Sequence, residues 1–448
     1  MKRTLKPSRN ISGSISLPGD KSIAHRAALL SILAKYPITI RNFPDNADCK
    51  RSLEAARSLG VKVETSGEDF VLSPPEIVQI EPDTVIDCGN SGTTARLLSG
   101  IVAGSAIEVT LTGDDSLRGR PMKRIIEPLT DMGAEIFADE NKQLPMRIRG
   151  RKLVRYEYRM PVASAQVKSA LLLAGLASSS PVTIQEDTIT RDHTEIMIRE
   201  IGDGISVRDV KPIAETDPDD PRKKKMVMPE SFKREIILAA GTEITGGLID
   251  IPGDISTAAF FMAAAAISRQ TLTIENVGLN PTRTGFVNHL KAVGCKIEIT
   301  GRKVISGEPR GDVTVTGDIL KPRRIFGDLT VSLIDEIPVV AVIAAFAEGT
   351  TIIRNAGELR IKESDRLEAV SVNLRSMGVK CGLLEDGLAI EGSNELSGAD
   401  FLTFGDHRIA MAFSIASLFL AGPSTIDDDS VVDVSCPRFY ELLDRIVR

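Results

Sequence analysis

The pentapeptide Pro18-Gly19-Asp20-Lys21-Ser22 returns as Pro252-Gly253-Asp254-Ile255-Ser256, and this self-similarity constrains the chain more than any other feature. Each copy follows a short strand-like segment, Gly13 to Leu17 and Gly247 to Ile251, and precedes an Ala-rich helical stretch, Ile23 to Lys35 and Thr257 to Ile267. A finer repeat lies inside each half. An apolar helix runs into a β-branched strand, and a second helix follows, closed by Gly and another strand. The first strands centre near Ile40, Val109, Ile184, Ile274, Ile353 and Ile426, at intervals of 69 to 90 residues. The second helix with its closing strand is plain at 51–63, 121–136, 284–297 and 365–379. The endings SLGVKVE, DMGAEIF, AVGCKIE and SMGVKCG place Gly where a helix ends in the left-handed conformation. Six such units in two halves predict an α/β protein of two similar domains.

If residues 1–17 pair with the second half, the chain crosses between halves twice, near 18–21 and 251–254. The expected domains are then 1–20 plus 254–448, and 21–253. Both Pro-Gly-Asp copies become hinges, with Gly supplying backbone freedom and Pro limiting it. The charged run at 209–234, with Asp217, Asp219, Asp220, Arg222 and Lys223 to Lys225, departs from the repeat. It reads as a solvated loop or an irregular hairpin.

Composition narrows the partners. A net charge of -6 and 4% aromatic residues, with no Trp, argue against a nucleic-acid surface, which needs basic patches and stacking rings. Cys49, Cys88, Cys295, Cys381 and Cys436 form no CxxC pair. A disulfide framework or zinc site is not expected, and reduced cytoplasmic thiols fit best. The basic start, Met1 to Asn10, lacks the apolar run of a signal peptide, and the most apolar stretch, Met411 to Leu420, is too short to span a bilayer.

Chemistry gathers at helix starts. Lys21, Ser22 and Arg26 open a helix, with Ser22 as its expected N-cap and the exposed N–H groups favouring an anion. An ordinary capped helix would not need the cation, and the second copy has Ile255 in place of Lys21. Asp87 to Arg96 is a Gly-rich turn opening another helix, equally suited to a tight turn or an anion site. It lacks both the Walker Lys and the GxGxxG fingerprint. Arg118, Arg120, Lys123 and Arg124 crowd a third helix start, and Ser164-Ala165-Gln166 opens a fourth helix. Arg191-Asp192-His193 follows a strand, and His193 reads as a structural histidine. Asp335-Glu336 precedes an apolar helix, and Lys362 and Arg366 would share one face if 360–366 is helical. Asp406-His407-Arg408 precedes the helix expected over 409–420, with Arg408 capping its start. Cations at helix N-termini oppose the macrodipole. Several in equivalent places of a repeat imply a converging positive cleft for multiply charged anions. The spacing of His, Cys and carboxylates suggests no metal site.

The motifs LPGDKSIAHR, DCGNSGTTARLL, LRGRPM, ASAQVKSALLLAGL, TRDHTE, IDEIPVVA, LRIKESDRL and DHRIAMAF resemble in combination those of the EPSP synthase family of enolpyruvyl transferases. The resemblance spans Gly13 to Tyr440, nearly the whole chain. It implies two domains of three βαβαββ units with an active site in the cleft between them. It also implies transfer of the enolpyruvyl group of phosphoenolpyruvate to the 5-hydroxyl of shikimate 3-phosphate, through a tetrahedral intermediate, in the route to chorismate and the aromatic amino acids. Carried over by motif, Lys21, Ser22, Arg26, Ser164, Gln166, Arg191, Asp335 and Lys362 would hold shikimate 3-phosphate. Lys21, Asn90, Gly92, Arg120, Gln166, Arg366 and Arg408 would face phosphoenolpyruvate. Asp335 would accept the hydroxyl proton, Glu363 would exchange a proton with the methylene carbon, and Lys21 would assist both substrates. A monomer with no metal or organic cofactor is expected. Ala165, Leu97, the segment Val434-Ser435-Cys436-Pro437 and the charged insert depart from the pattern of many members. The alternatives are a transferase acting on a UDP-sugar and a non-catalytic anion binder.

Overall fold

The computed structural model describes the backbone of every residue except Arg9, Gln79, Pro212, Pro218, Asp219, Pro229 and Arg448, and the side chains of all residues except these and 212–227. Ala and Leu runs with a polar residue just ahead of them become six helices buried on most sides. They are Lys21–Leu30, Gly92–Gly104, Ala165–Ser178, Ile255–Ser268, Ile337–Ala345 and His407–Ser417. Two of them touch backbone to backbone. A Cβ at Gly100 would lie 2.0 Å from the Ala170 carbonyl oxygen, and one at Gly104 would lie 2.4 Å from that of Ala174. Only glycine permits that approach.

Each unit builds one small sheet. In five of them the order is a short leading strand, then the unit's first, third and second long strands. The leading strand is parallel to the first, and the other pairings are antiparallel, as in Val85–Asp87, Glu108–Thr112, Met146–Arg149 and Glu135–Phe137. The expected first strands all form, the last of them as Ser424–Ile426.

The two halves exchange strands. Gly247–Asp250 leads the first sheet, parallel to Ile38–Arg41. Ser14–Ser16 leads the fourth, parallel to Thr271–Gly278. Arg3–Leu5 completes the sixth against Ser424–Ile426. Buried apolar residues fall into two clusters, one drawn from Ile23 to Ile251 and one from Leu5 to Leu17 with Ile255 to Ile446.

Between the clusters the two Pro-Gly-Asp copies lie side by side. Asp20 N donates to the Pro252 oxygen at 2.8 Å, and Asp254 N donates to the Pro18 oxygen at 3.0 Å. Gly19 has no room for a side chain: its Cβ would meet the Asn42 carbonyl oxygen at 2.0 Å, whereas the nearest atom to a Cβ at Gly253 is 3.3 Å away. Gly19→Ala is therefore expected to cost about 3 kcal/mol or more, and Gly253→Ala about 1 kcal/mol, read from denaturation midpoints. Equal losses would contradict this crowding.

Several local expectations need correction. Asp20, not Ser22, caps the first helix, its carboxylate accepting from Ile23 N at 3.0 Å. The helix stops at Leu30 rather than Lys35, because the Ser31 hydroxyl bonds back to the Ala28 oxygen and the chain then turns. Asp406, not Arg408, caps the last buried helix, which spans His407–Ser417. Residues 360–366 are not one helix. A short 3-10 turn, Gly357–Ile361, ends at an extended Lys362, and a new helix begins at Arg366 under the Asp365 cap. The backbone at Ile213–Asp217 and Asp220–Val227 pairs as a hairpin with a register shift, inserted between the second and third strands of the third sheet. The charged side chains expected there fall outside the described residues. Among the described residues, no helix is long and apolar enough to cross a membrane.

Candidate active site

The six buried helices all begin at one cavity of about 390 Å³ between the halves. Lys21 and Ser22, Gly92 and Thr93, Ser164 to Val167, Asp254 and Ser256, Asp335, and His407 and Arg408 line it. Their dipoles, positive end toward the cavity, give it a positive wall before any side chain is counted. Lys21, Arg96, Arg120, Arg191, Lys362, Arg366 and Arg408 add full charges. Rows of apolar side chains behind each helix start hold these groups in place.

The cations are not free. The Lys21 ammonium pairs with Asp48. Burial opposes its charge, yet Asp48 and Glu363 hold its pKa above the usual value. Arg366 forks onto Asp406, with Nε at 2.7 Å from Oδ2 and Nη2 at 3.2 Å from Oδ1, and Nη2 also lies 2.7 Å from Glu363 Oε2. Arg191 pairs with Asp335 across the cleft and points Nη1 at Ser22 Oγ, 3.4 Å away. Arg408 Nη1 donates to the Asp335 backbone oxygen at 2.9 Å. Arg120 Nη2 donates to Asn90 Oδ1 at 2.5 Å, while its Nε is buried without a hydrogen-bond partner.

Two carboxylates stand among these charges. Burial would favour their neutral forms, but the cations prevail. Arg191, Arg408, Lys362 and Arg366 hold Asp335 well below the usual carboxylate range. Arg366, Arg120 and Lys21 do the same for Glu363. Burial lowers the Lys362 pKa, with Asp335 opposing the shift. Burial also drives His407 down to about 3, aided by Lys21, so the imidazole beside them is neutral.

Most residues singled out from the sequence meet at this cavity; Arg26 and Asn90 do not line it. Arg26 lies behind Ser22, donating to the Ser22 oxygen at 2.8 Å, Thr194 Oγ1 at 2.8 Å and Ser169 Oγ at 2.9 Å. Asn90 sits behind Arg120, with its amide held by Asp114 at 2.8 Å. Of the crowded cations at 118–124, Arg118 turns outward to Asp115 and Lys123 to Glu127. Arg124 reaches across the cleft mouth to Glu358, and Lys233 reaches Asp328 on another side. His193 is structural, with Nδ1 2.6 Å from Glu308 Oε1.

Sequence reasoning missed Arg96, Asp48 and Arg283 as cavity residues. Arg96 Nη1 donates to Gln166 Oε1 at 3.0 Å, and a Cβ at Gly92 would strike that Nη1 at 2.6 Å. Gly92 followed by Arg96 on one helical face was the available signal. Asp48 and Arg283 carry no local signature, since partners such as Lys21 and Asp20 lie far from them along the chain.

Comparison with known proteins agrees with this geometry. The family model for EPSP synthase (3-phosphoshikimate 1-carboxyvinyltransferase) matches residues 5–231 and 230–443. A protein of Thermodesulfovibrio yellowstonii named 3-phosphoshikimate 1-carboxyvinyltransferase is 44% identical, with 100% of both chains covered. One of the same name from Geotalea uraniireducens is 42% identical, with 99% of each covered. The structure of an EPSP synthase from Acinetobacter baumannii superposes with a TM-score of 0.81 at 35% identity, covering 100% of this chain and 98% of that one.

Proposed function

The chain belongs to the EPSP synthase family and is an enolpyruvyl transferase of the shikimate pathway; from that premise we propose how its own residues divide the reaction. Phosphoenolpyruvate and shikimate 3-phosphate are small polyanions, and one cavity ringed by six helix starts and several cations suits both. That convergence carries the reading.

In this reading Lys21, Ser22, Ser164, Gln166 and Arg191 hold shikimate 3-phosphate, and Arg26 adds its charge from behind Ser22. Lys21, Gly92, Gln166, Arg120, Arg366 and Arg408 hold phosphoenolpyruvate, with Asn90 orienting Arg120. Asp335 and Lys362 take the shikimate hydroxyls. Asp335 accepts the proton of the 5-hydroxyl as its oxygen bonds to the central carbon of phosphoenolpyruvate. Glu363 delivers a proton to the methylene carbon, giving the tetrahedral intermediate. Removal of a proton from that methyl carbon then expels phosphate and restores the double bond.

The charge state of the cavity fits this order. An ionised Glu363 cannot donate a proton. Two arriving polyanions neutralise Arg120, Arg366 and Lys21, which lets the buried carboxyl rise toward its working range. The cross-cleft pairs Arg191–Asp335 and Arg124–Glu358 support closure of the halves about hinges at 18–21 and 251–254, between domains 1–20 plus 254–448 and 21–253. Closure excludes water from the intermediate. One chain supplies the whole cavity, which supports a monomer, and five free thiols suit a reducing cytoplasm.

Purified protein is expected to release phosphate from phosphoenolpyruvate only when shikimate 3-phosphate is present, measured by a coupled phosphate assay. Turnover with a UDP-sugar instead would move the chain to the sister reaction. Binding of both anions without turnover would reduce it to an anion binder.

A further inference from the structure

The crossover side of the cavity holds a buried polar cluster that no step above uses. Arg283 lies in the turn between strand Thr271–Gly278 and helix Gly285–Val293, and its side chain is 4% exposed. Its Nη1 donates to Asp20 Oδ2 at 3.1 Å and lies 3.2 Å from His193 Nε2. Its Nη2 donates to Ser256 Oγ at 2.8 Å, and Ser256 in turn donates to Glu336 Oε1. A guanidinium offers no lone pair, so His193 Nε2 must accept here. The ring proton is thereby assigned to Nδ1, which donates to Glu308. Every bond in the cluster runs outward from Arg283 to a carboxylate, directly or through one neutral relay.

The residues it reaches stand at the starts of helices that carry site residues. Asp20 caps the helix beginning at Lys21 and Ser22. His193 opens helix His193–Ile201, two residues after Arg191. Glu336 is the N-cap of helix Ile337–Ala345 and the neighbour of Asp335. A cation among four helix N-termini is unfavourable by itself. Asp20 and Glu336 compensate it, and Asp20, which burial would neutralise, is held below its usual range chiefly by Arg283. So buried a charge at so adverse a place needs a reason, and the junction it makes supplies one.

We infer that Arg283 is a positioning residue for the transfer reaction: through Asp20, His193 and the Ser256–Glu336 relay it fixes Lys21, Arg191 and Asp335 relative to one another across the two halves. This rests on the enolpyruvyl-transfer reading. Three of its five N–H groups are taken up by Asp20, His193 and Ser256, so the effect expected is on placement rather than on substrate affinity.

Arg283→Lys and Ser256→Ala in the full chain test it. Lys keeps a charge beside Asp20, so the variant folds, but its compact ammonium lacks the planar fork that spans Asp20, His193 and Ser256. We expect kcat per folded chain to fall roughly tenfold to a hundredfold in Arg283→Lys and about tenfold in Ser256→Ala, the scale of a small misplacement of reacting groups. KM for both substrates should stay within about threefold. Because the residues act in series, the double variant should be no worse than Arg283→Lys alone. Wild-type kcat in both variants overturns the inference. So do losses that multiply in the double variant, a rise in KM with kcat unchanged, or an activity loss that merely tracks the unfolded fraction. Wild-type protein assayed alongside separates the two levels: no wild-type turnover overturns the transfer reading and this one with it.

Discussion

Glu363→Gln and Asp335→Asn are each expected to lower kcat by about 10² to 10⁴-fold, the range for loss of a positioned acid or base. Shikimate 3-phosphate affinity, read by titration calorimetry, should change by no more than about threefold. The amides keep the shape of each side chain and remove its charge together with its exchangeable proton site. Glu363 lies 2.7 Å from Arg366 and 3.7 Å from Arg120, so Glu363→Gln also frees those cations for the phosphate of phosphoenolpyruvate. Binding of that substrate is therefore expected to hold or tighten while turnover collapses. Turnover of Glu363→Gln within about threefold of wild type would remove Glu363 from the proton path, and the same result for Asp335→Asn would remove Asp335.

Lys168→Met is expected to cost about 3–5 kcal/mol of stability, the usual penalty for stranding a buried charge. Lys168 is fully buried, with Nζ 3.1 Å from Glu186 and 2.8 Å from Glu195, both buried as well. Glu186 also accepts from Thr190 N at 3.2 Å and so anchors the turn leading to Arg191. The loss should depend on pH. Burial already raises the Glu186 pKa, with Lys168 opposing the shift. A carboxyl raised in the folded state contributes stability that is present at low pH and lost as pH rises through its folded pKa. Without Lys168 that rise is larger, so the deficit measured by denaturant titration should grow from about pH 5 to pH 8. A deficit under about 1 kcal/mol, or one independent of pH, would show the triad to be uncoupled.

The six-unit architecture was legible because its markers are local. Gly closes the second helices, β-branched residues mark the first strands, and Pro-Gly-Asp marks both crossovers. Two leading strands, Ser14–Ser16 and Gly247–Asp250, were legible beside the Pro-Gly-Asp copies; others were not. Val85–Asp87, Arg324–Ile325 and Asp400–Phe401 are too short to show alternation, and only their pairing defines them. Cap positions failed for a related reason. Asp20 and Ser22 are both good caps two residues apart, and the register of the whole helix decides between them. The break at Lys362 has no Gly or Pro to announce it; the bond of Ser364 to Asp406 at 3.1 Å and the fork of Arg366 onto the same carboxylate pull the chain out of helical register. The cations of the site were visible as types, because Lys and Arg at helix starts violate the dipole preference. Their partners Asp48 and Asp406 gave no signal of their own in the sequence, since each pairs with a residue distant along the chain.

The exchanged strands set an order of events during synthesis. Residues 21–251 contain every strand of the first three sheets and the whole of one buried cluster, so that half is complete as soon as it has left the ribosome. The other half inherits its fourth and sixth sheets partly from residues 3–16, which emerge first. Arg3–Leu5 has no partner until Ser424–Ile426 is made, and at about 5–20 residues per second that wait is on the order of tens of seconds. Throughout it Arg3–Leu5 is an unpaired strand, and once residue 251 is out it is tethered to a finished half, while Ser14–Ser16 waits only for Thr271–Gly278. The oldest segment of the chain is thus among the last to be folded, and it is the one that leads directly into Lys21.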